Sequence, residues 1–383
     1  MRRQRHSWSV AGIALVLGSA LVAATPSAAQ PSTAPPTTTQ PSTSGSAPMR
    51  PATTVTAVRD GRIAAADANA DQIVTLNPDG SHLLVVSPPG DRSLHPAWAP
   101  DGSRLVFASN HAGGDDTRLF TVKPDGTDLR QVTHDSAGSS HFTPAYTRDG
   151  TRIVFSRCRP DPPGGCALQS VRTDGTHRRQ LTAYGADRAD LFPALSPGGG
   201  RIAFSRFGDR GILAQVWVMR SDGSHPHPVT TPSLEAAAPA WTNDGRHLLV
   251  TNNWQHLGEN VVRIGDDGSH PVMLTHRRFP HNAVQPALSP TGSRIAYSDD
   301  QAFPGVIGAD LFLMRLDGSG KHAISTGGRL LDADWGTAPL LTGPVAQSRF
   351  GLASPTAPRQ ALSMPHWIAP RTAAPTPAHR WGQ

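Results

Sequence analysis

The sequence contains very little cysteine: two residues in 383, Cys158 and Cys166, on either side of the Pro- and Gly-rich segment RPDPPGG. No cysteine precedes Cys158, which excludes lipid attachment at a processed N-terminal cysteine. Two cysteines that close such a loop are expected to form a disulfide if the chain is exported. The alternative is a metal site, but two thiolates without a histidine between them supply only half of one.

Charged residues are also few, at 17%, whereas the chain has 37 glycines and 36 prolines. This composition favours a turn-rich β protein over a helical one. The formal charge is +6, of which three arginines lie in residues 1–29 and four in residues 340–383, leaving −1 between them. A nucleic-acid surface needs basic residues gathered on a folded face. We therefore expect no nucleic-acid partner.

A long hydrophobic run is missing. The apolar stretch Val10–Ala24 has 15 residues, against about 20 for a bilayer-spanning helix. Because it follows the basic start MRRQRH and precedes the small residues SAA, residues 1–29 are predicted to be a signal peptide, with an uncleaved anchor as the alternative. We expect an exported chain without a transmembrane span once processed, located outside the cell or in the periplasm or cell envelope.

Two further segments contain few large apolar residues that could form a hydrophobic core. Residues 30–54 are rich in Pro, Thr and Ser, and residues 340–383 are rich in Pro and Ala, with arginine and no acidic residue. The apolar surface that such segments can bury is too small to offset the conformational entropy that the chain would lose on ordering. We predict a disordered linker, a folded domain over residues 55–339, and a disordered basic tail.

Sequence motifs that carry a known catalytic mechanism are absent as well. The chain has no G-x-S-x-G, no H-E-x-x-H, no phosphate-binding G-x-x-x-x-G-K-[ST] and no dinucleotide fingerprint. We therefore expect a binding module rather than an enzyme, and we predict no cofactor.

What the sequence does contain is a repeat. HPAWAPDGSRLVF begins at His95, and related segments open at steps of 48, 49, 46, 47 and 47 residues. A period in the forties made of four short strands is typical of β-propeller blades. The equivalent positions are Trp98, Tyr146, Leu195, Trp241, Leu288 and Trp335. We predict an all-β, six-bladed propeller of four-stranded blades, in which strands a to d follow one another from the axis outward.

The first blade lacks its own Pro-Ala-Trp strand, and LDADWG (Leu331–Gly336) is a strand a with no blade after it. Pairing Asp332–Trp335 with Arg62–Ala66 would close the ring and hide two sheet edges. We predict this closure, with TVTAV (Thr54–Val58) as the competing inner strand.

The repeat PAWAPDGSRLVFAS…RLFTVKPDGT…RQVT resembles the propeller repeat of the TolB family, with its Pro-x-Trp-Ser-Pro-Asp-Gly motif. The resemblance covers about residues 59–338; Gly198-Gly199, Thr291-Gly292, Leu195 and Leu288 depart from the motif. TolB carries an N-terminal α/β domain, which the linker replaces here. Related propellers cap prolyl-oligopeptidase-type peptidases, but 44 residues after position 339 are fewer than the roughly 50 of a small domain.

Candidate site residues follow from the predicted topology. The a–b and c–d connections are tight Asp-Gly turns on one face, here called the tight-turn face. The longer b–c and d–a loops lie on the other, the loop-rich face, where specificity usually resides. The residues before each blade opening are expected to ring the channel mouth there; they are His95, Thr143, Phe192, Ala238, Gln285 and Asp332.

We predict that a protein or cell-envelope polymer binds a monomeric propeller through this face. The predicted binding residues are His95, His141, Trp254, His256, Gln285 and Asp332. The alternative is a metal-dependent lyase or hydrolase at the channel mouth, built from His and carboxylate ligands, and a bound structural ion is a further possibility. The other blades open with Pro-Ala, whereas LDADWG has Ala333-Asp334 at that position. Asp334 is therefore a candidate channel residue.

Overall fold

The computed structural model describes residues 58–159, 164–186, 188–208, 214–252, 258–278, 281–301, 309–327, 330–343 and 350. The predicted signal peptide and linker lie outside these residues, as does most of the tail. The described chain forms β-strands and one short 3-10 helix, Pro232–Leu234. No helix in these ranges is long and apolar enough to cross a membrane.

The strands form antiparallel groups of four that follow one another along the chain. The first group begins with β1 (Ile63–Asp67), β2 (Gln72–Leu76) and β3 (Leu84–Val85). The second comprises β4 (Ser93–Trp98), β5 (Leu105–Ser109), β6 (Arg118–Val122) and β7 (Arg130–Gln131). The third comprises β8 (Ser140–Tyr146), β9 (Arg152–Arg159), β10 (Gly165–Arg172) and β11 (Arg179–Gln180).

The remaining groups repeat this pattern. The fourth comprises β12 (Ala189–Leu195), β13 (Arg201–Phe207), β14 (Ala214–Arg220) and β15 (His227–Pro228). The fifth comprises β16 (Ala236–Trp241), β17 (His247–Asn252), β18 (Asn260–Gly265) and β19 (Val272–Met273). The sixth comprises β20 (His281–Leu288), β21 (Arg294–Gln301), β22 (Ala309–Arg315) and β23 (His322–Ala323). The last strand is β24 (Leu330–Trp335).

The inner strands of these groups form a closed ring. They contact one another in the order β4, β8, β12, β16, β20 and β24, and β24 contacts β4. Apolar side chains fill the space between neighbouring sheets; for example, Leu311 and Leu313 of β22 share a buried cluster with Val74 and Leu76 of β2. The prediction of an all-β propeller is confirmed.

The prediction of separate four-stranded sheets holds only in part. Four sheets have four strands, but the third and fourth groups form one eight-stranded sheet. The join is a single parallel pair, Cys166 with Ala189, and the N–H of Cys166 donates to the carbonyl of Arg188 at 3.1 Å. Gly165, at φ +81°, lets the chain approach closely, because a side chain there would meet the carbonyls of Gly185 and Arg188. The two groups therefore share backbone hydrogen bonds at one corner.

The predicted disulfide is present. Cys158 and Cys166 face each other as a register pair of β9 and β10, with their Cα atoms 4.1 Å apart, and both side chains are buried. The bond thus ties the end of one hairpin at the point where the two groups of the eight-stranded sheet meet.

The predicted ring closure is also present. β24 pairs antiparallel with β1, so that Trp335 faces Ile63 and Asp334 faces Ala64. The indole Nε1 of Trp335 donates to the carbonyl of Gly61 at 2.9 Å. Of the competing strand, only Val58 lies within the described residues; it is 59% exposed and in no strand. The first group is therefore completed by the C-terminal strand.

The start of the predicted tail contacts the propeller. The N–H of Leu341 donates to Asn77 Oδ1 at 3.0 Å, and Asn77 Nδ2 donates back to the Leu341 carbonyl at 3.0 Å. Phe350 packs against the buried cluster that contains Val74 and Leu311. The predicted boundary at position 340 therefore falls within a segment that contacts the folded domain.

The Thr or Ser that ends each RQVT-like segment has a repeated structural role. In every group its hydroxyl accepts the N–H of a residue in strand c, at 2.8 to 2.9 Å. This hydrogen bond extends the ladder beyond the two-residue strand d. The six residues are Ser87, Thr133, Thr182, Thr230, Thr275 and Ser325.

Candidate functional site

Each inner strand changes register at the residue that precedes the blade opening. Between Leu94 and Ala97 of β4, for instance, the pairing with β5 shifts, and β8, β12, β16, β20 and β24 show equivalent irregularities. A bulge of this kind leaves a residue out of the ladder and redirects its side chain. The same local structure therefore occurs at each position of the inner ring.

The bulged residues share a backbone conformation that only glycine adopts freely. All six have φ between 46° and 55°, in the left-handed region that costs an ordinary residue on the order of 1 kcal/mol or more. They are His95, Thr143, Phe192, Ala238, Gln285 and Asp332. We call this set the inner ring.

Neighbouring groups stabilise this conformation. The N–H of Phe192 donates to Thr143 Oγ1 at 3.1 Å, and the N–H of Ala238 donates to Ser205 Oγ at 2.8 Å. The N–H of Gln285 likewise donates to Thr251 Oγ1 at 2.9 Å. At these three bulges, the backbone N–H that leaves the ladder is thus satisfied by a hydroxyl of the preceding group.

The inner ring lines a central cavity of about 600 Å³. Its wall consists mostly of the Pro-Ala steps that follow the ring residues, and it continues to positions next to the a–b turns, such as Pro100, Arg148 and Asn243. The sequence places the ring at the mouth on the loop-rich face. From the ring, the cavity wall continues along strand a towards the a–b turns.

His95 and Asp332 form a buried polar pair on this wall. His95 Nε2 lies 3.5 Å from Asp332 Oδ2, and the two side chains are 23% and 8% exposed. His95 Nδ1 has no hydrogen-bond partner among the described residues, and the imidazole edge packs against the rings of Phe142 and Phe192. Burial lowers the pKa of His95, although the charge of Asp332 opposes this shift. The imidazole is therefore neutral near pH 7.

Asp334 adds a second carboxylate to the same wall. Its Oδ2 accepts the backbone N–H of Trp98 at 2.6 Å. Burial raises its pKa, and the hydrogen bonds from the Trp98 and Trp335 backbone act in the opposite direction. Asp332 and Asp334 are two residues apart on β24, a spacing of about 6.5 Å in an extended strand. The cavity thus has its acidic groups on one side.

The remaining predicted site residues have different surroundings. Gln285 lines the cavity with His95 and Asp332. His141 does not, because it is fully buried: its Nε2 lies 3.1 Å from Asp135 Oδ2, and its Nδ1 lies 2.7 Å from Thr133 Oγ1. Trp254 and His256 lie outside the described residues.

Asp135 is the centre of a network that the sequence does not reveal. Besides His141 it accepts Arg157 Nε at 2.7 Å and contacts Arg178. Desolvation opposes ionisation of Asp135, but its hydrogen bonds with His141 and the two arginines dominate and hold its pKa far below the ordinary range. The residue stands in a d–a loop without a motif, so no sequence pattern indicates it.

The cavity wall carries acid–base groups, namely His95, Asp332 and Asp334. Within the described ranges, no group of three or more His, Cys, Asp or Glu side chains is placed to hold a metal ion. No serine or cysteine of the cavity wall is hydrogen-bonded to His95 in the described structure. The geometry fits a ligand that contacts both polar and apolar residues of the wall.

No protein-family model matches the chain. A stretch of 85 residues is 31% identical to dipeptidyl-peptidase 5 of Porphyromonas endodontalis, covering 22% of this chain and 12% of that protein. Another 85-residue match is 33% identical to oligogalacturonate lyase of Dickeya dadantii, covering 22% and 21%. The matched stretches are thus small fractions of both curated relatives.

Solved structures resemble a far larger part of the chain. TolB from Acinetobacter baumannii is similar over 73% of this chain and 67% of that chain, with a TM-score of 0.59 and 19% identity. A putative TolB from Agrobacterium tumefaciens is similar over 73% and 93%, with a TM-score of 0.56 and 16% identity. At this level of identity the likeness concerns the fold. Together with the closed ring of inner strands, it shows that this chain has the β-propeller fold of TolB.

Proposed function

We propose that the chain is a six-bladed propeller that acts as an exported binding module and receives part of its partner in the central cavity. The blade count treats the eight-stranded sheet as two blades, because its halves share only the corner at Cys166 and Ala189. The observation that carries the proposal is the cavity itself: about 600 Å³, in the range of ligand sites, with His95, Asp332 and Asp334 on a wall of mixed polar and apolar residues.

The inner ring supports a binding role rather than a purely structural one. Six non-glycine residues in the left-handed region are costly, and strained backbone of this kind concentrates at functional sites. In each blade the bulge places a different side chain at the same position of the cavity wall. One backbone design therefore presents an asymmetric set of groups, which is what recognition of an asymmetric partner requires.

The nature of the partner follows from the cavity size. A space of this volume accommodates a side chain, a chain terminus or a short polymer segment, but not a folded domain. We propose that the partner is a protein or cell-envelope polymer that inserts such a segment. The buried disulfide Cys158–Cys166 supports export, because disulfides persist in oxidising compartments.

A cavity-filling variant tests this proposal. Phe192 already occupies the left-handed position of its blade, so Ala238→Phe places a large ring at the equivalent position without a new kind of strain. We expect the wild-type chain to retain a partner from an envelope fraction and Ala238→Phe to lose it. His225→Ala, on an exposed c–d turn, is the control and should bind normally. Normal retention by Ala238→Phe would contradict a role for the cavity.

An enzyme is the second candidate, because two curated relatives are named as a peptidase and a lyase. A metal-dependent lyase or hydrolase would need ligands at the cavity or in the loops near it. Metal analysis of the purified chain tests this alternative. A transition metal in a 1:1 ratio that is lost in His95→Ala would favour the enzyme over the binding module.

A further inference from the structure

The Asp332 carboxylate is buried without an adequate partner. Its side chain is 8% exposed, and its one partner in the described structure is His95 Nε2, at 3.5 Å. That distance exceeds the 2.7–3.2 Å typical of a nitrogen–oxygen hydrogen bond. Buried charges in proteins are normally paired or bound to an ion. The empty space beside this carboxylate is the central cavity.

His95 does not neutralise this charge. Burial lowers the pKa of its imidazole, so the side chain is neutral at physiological pH. Its Nδ1 is buried and has no hydrogen-bond partner in the described structure, so the ring atom beside Asp332 on the cavity wall is Nε2. The other titratable or charged side chains on the wall are Tyr146, Arg148 and Asp334. Arg148 is exposed, next to an a–b turn where solvent screens it.

We propose that the cavity binds an alkylammonium group, such as a lysine side chain or a free primary amine, between Asp332, Asp334 and His95. An ammonium has three donors that radiate from one atom, which matches three acceptor side chains. A guanidinium presents its donors as a flat fork suited to a single carboxylate. This assignment rests on the proposed function, since it names the chemistry of the segment that enters the cavity.

The wall also suits the carbon chain that an alkylammonium carries. Phe192, Trp98 and Trp335 are among the lining residues, together with the Pro-Ala steps of the inner strands. Methylene groups pack on such surfaces while the charged end reaches polar partners, and aromatic faces attract a cation directly. The apolar and acidic parts of the cavity thus correspond to the two parts of the ligand.

Calorimetric titration of the full chain tests the assignment. The probes are n-pentylammonium and Nα-acetyl-lysine methylamide; the neutral control is the same lysine derivative acetylated at Nε. We expect saturable binding of at least one charged probe and none of the neutral one. Binding of both charged probes points to a side chain of a partner, whereas binding of pentylammonium alone points to a free amine. Either result supports the proposal.

Two carboxylate variants make the test specific. Asp332→Asn, whose native carboxylate accepts no backbone hydrogen bond in the described structure, should weaken binding by about tenfold or more, as loss of a charged hydrogen-bond partner implies. Asp222→Asn removes the same charge from an exposed c–d turn and should change nothing. Equal binding of the neutral probe, unchanged affinity in Asp332→Asn, or no binding of either charged probe would overturn the proposal.

These outcomes are separable from failure of the proposed function. If Ala238→Phe loses an envelope partner but neither ammonium probe binds, the cavity is a binding site and the ligand chemistry is wrong. If an ammonium probe binds but Ala238→Phe keeps the partner, the cavity takes a small ligand and the partner contacts another surface.

Discussion

The backbone N–H of Trp98 donates a 2.6 Å hydrogen bond to the carboxylate of Asp334, 236 residues further along the chain. Trp98 belongs to β4, the inner strand of the second blade, and Asp334 belongs to β24, which completes the first blade. The contact therefore crosses the boundary between two blades at the place where the chain closes the ring. It also places a carboxylate on the cavity wall, so closure and the candidate site share a residue.

Removal of the closing strand should open the ring. A chain that ends before Leu330 loses β24, which exposes the edge of β1 and the side of β4 that packs against β24. We therefore expect the cooperative melting transition to be lost or to move to a much lower temperature. A chain that ends at Phe350 keeps the contacts of Leu341 and Phe350 and should melt like the full chain. Thermal melts followed by circular dichroism compare the two. Similar melting of both truncations would mean that β24 is dispensable.

Trp335→Ala should destabilise the fold by about 3–5 kcal/mol, as removal of a large buried aromatic implies. Trp335 is 5% exposed, and its indole donates to Gly61. Chemical denaturation gives the free energy of unfolding. Trp335→Phe is the matched control: it keeps most of the apolar contact, loses the hydrogen bond and should be intermediate. A loss below 1 kcal/mol in Trp335→Ala would contradict the packing described for this position.

Asp334→Asn should stabilise the ligand-free chain at neutral pH. Burial raises the pKa of Asp334 in the folded state above the ordinary 3.8, so its favourable contribution is complete below that value and is lost as pH rises through the raised pKa. A tenfold change in proton affinity corresponds to about 1.4 kcal/mol. Asparagine can still accept the Trp98 N–H. We expect a higher melting temperature than wild type at pH 7 and equal values near pH 3; the opposite order at pH 7 would contradict this.

Asp135→Asn, in contrast, should destabilise the fold at neutral pH. The pKa of Asp135 is lowered in the folded state, so its contribution is present above the ordinary aspartate value and is lost as pH falls through the lowered one. Replacing a charged acceptor that serves His141, Arg157 and Arg178 should cost about 2–3 kcal/mol at pH 7. Denaturation at several pH values measures it. A variant as stable as wild type at pH 7 would show that the network is not stabilising.

Loss of the disulfide should cost about 2–3 kcal/mol, because the bond closes a short loop. The double variant Cys158→Ala/Cys166→Ala avoids a free thiol, and comparison with the reduced wild type isolates the effect of the bond. Mass spectrometry of exported protein should show no free thiol. Two free thiols in that material would contradict the pairing.

The sequence by itself determined the repeat and most of the architecture. Asp-Gly turns, Pro-Ala openings and a period near 47 residues are local signals that recur in each blade, so they predict strands and blade boundaries. The orphan LDADWG segment predicts ring closure, and the spacing of Cys158 and Cys166 predicts the disulfide. These features depend on short stretches of chain and on the general need to pair strand edges.

Only the tertiary structure decided the character of the site. His95 and Asp332 are 237 positions apart in the sequence, and they meet because the last strand closes the first blade. His141 resembles the other loop histidines in sequence, yet Asp135 and Thr133 surround it and bury it. Three residues of the left-handed inner ring donate to hydroxyl groups of neighbouring blades, and the eight-stranded sheet depends on two loops that touch at Gly165. Each of these outcomes requires contacts between residues of different blades. The sequence pattern of a single repeat unit does not show which residues of other units it will contact.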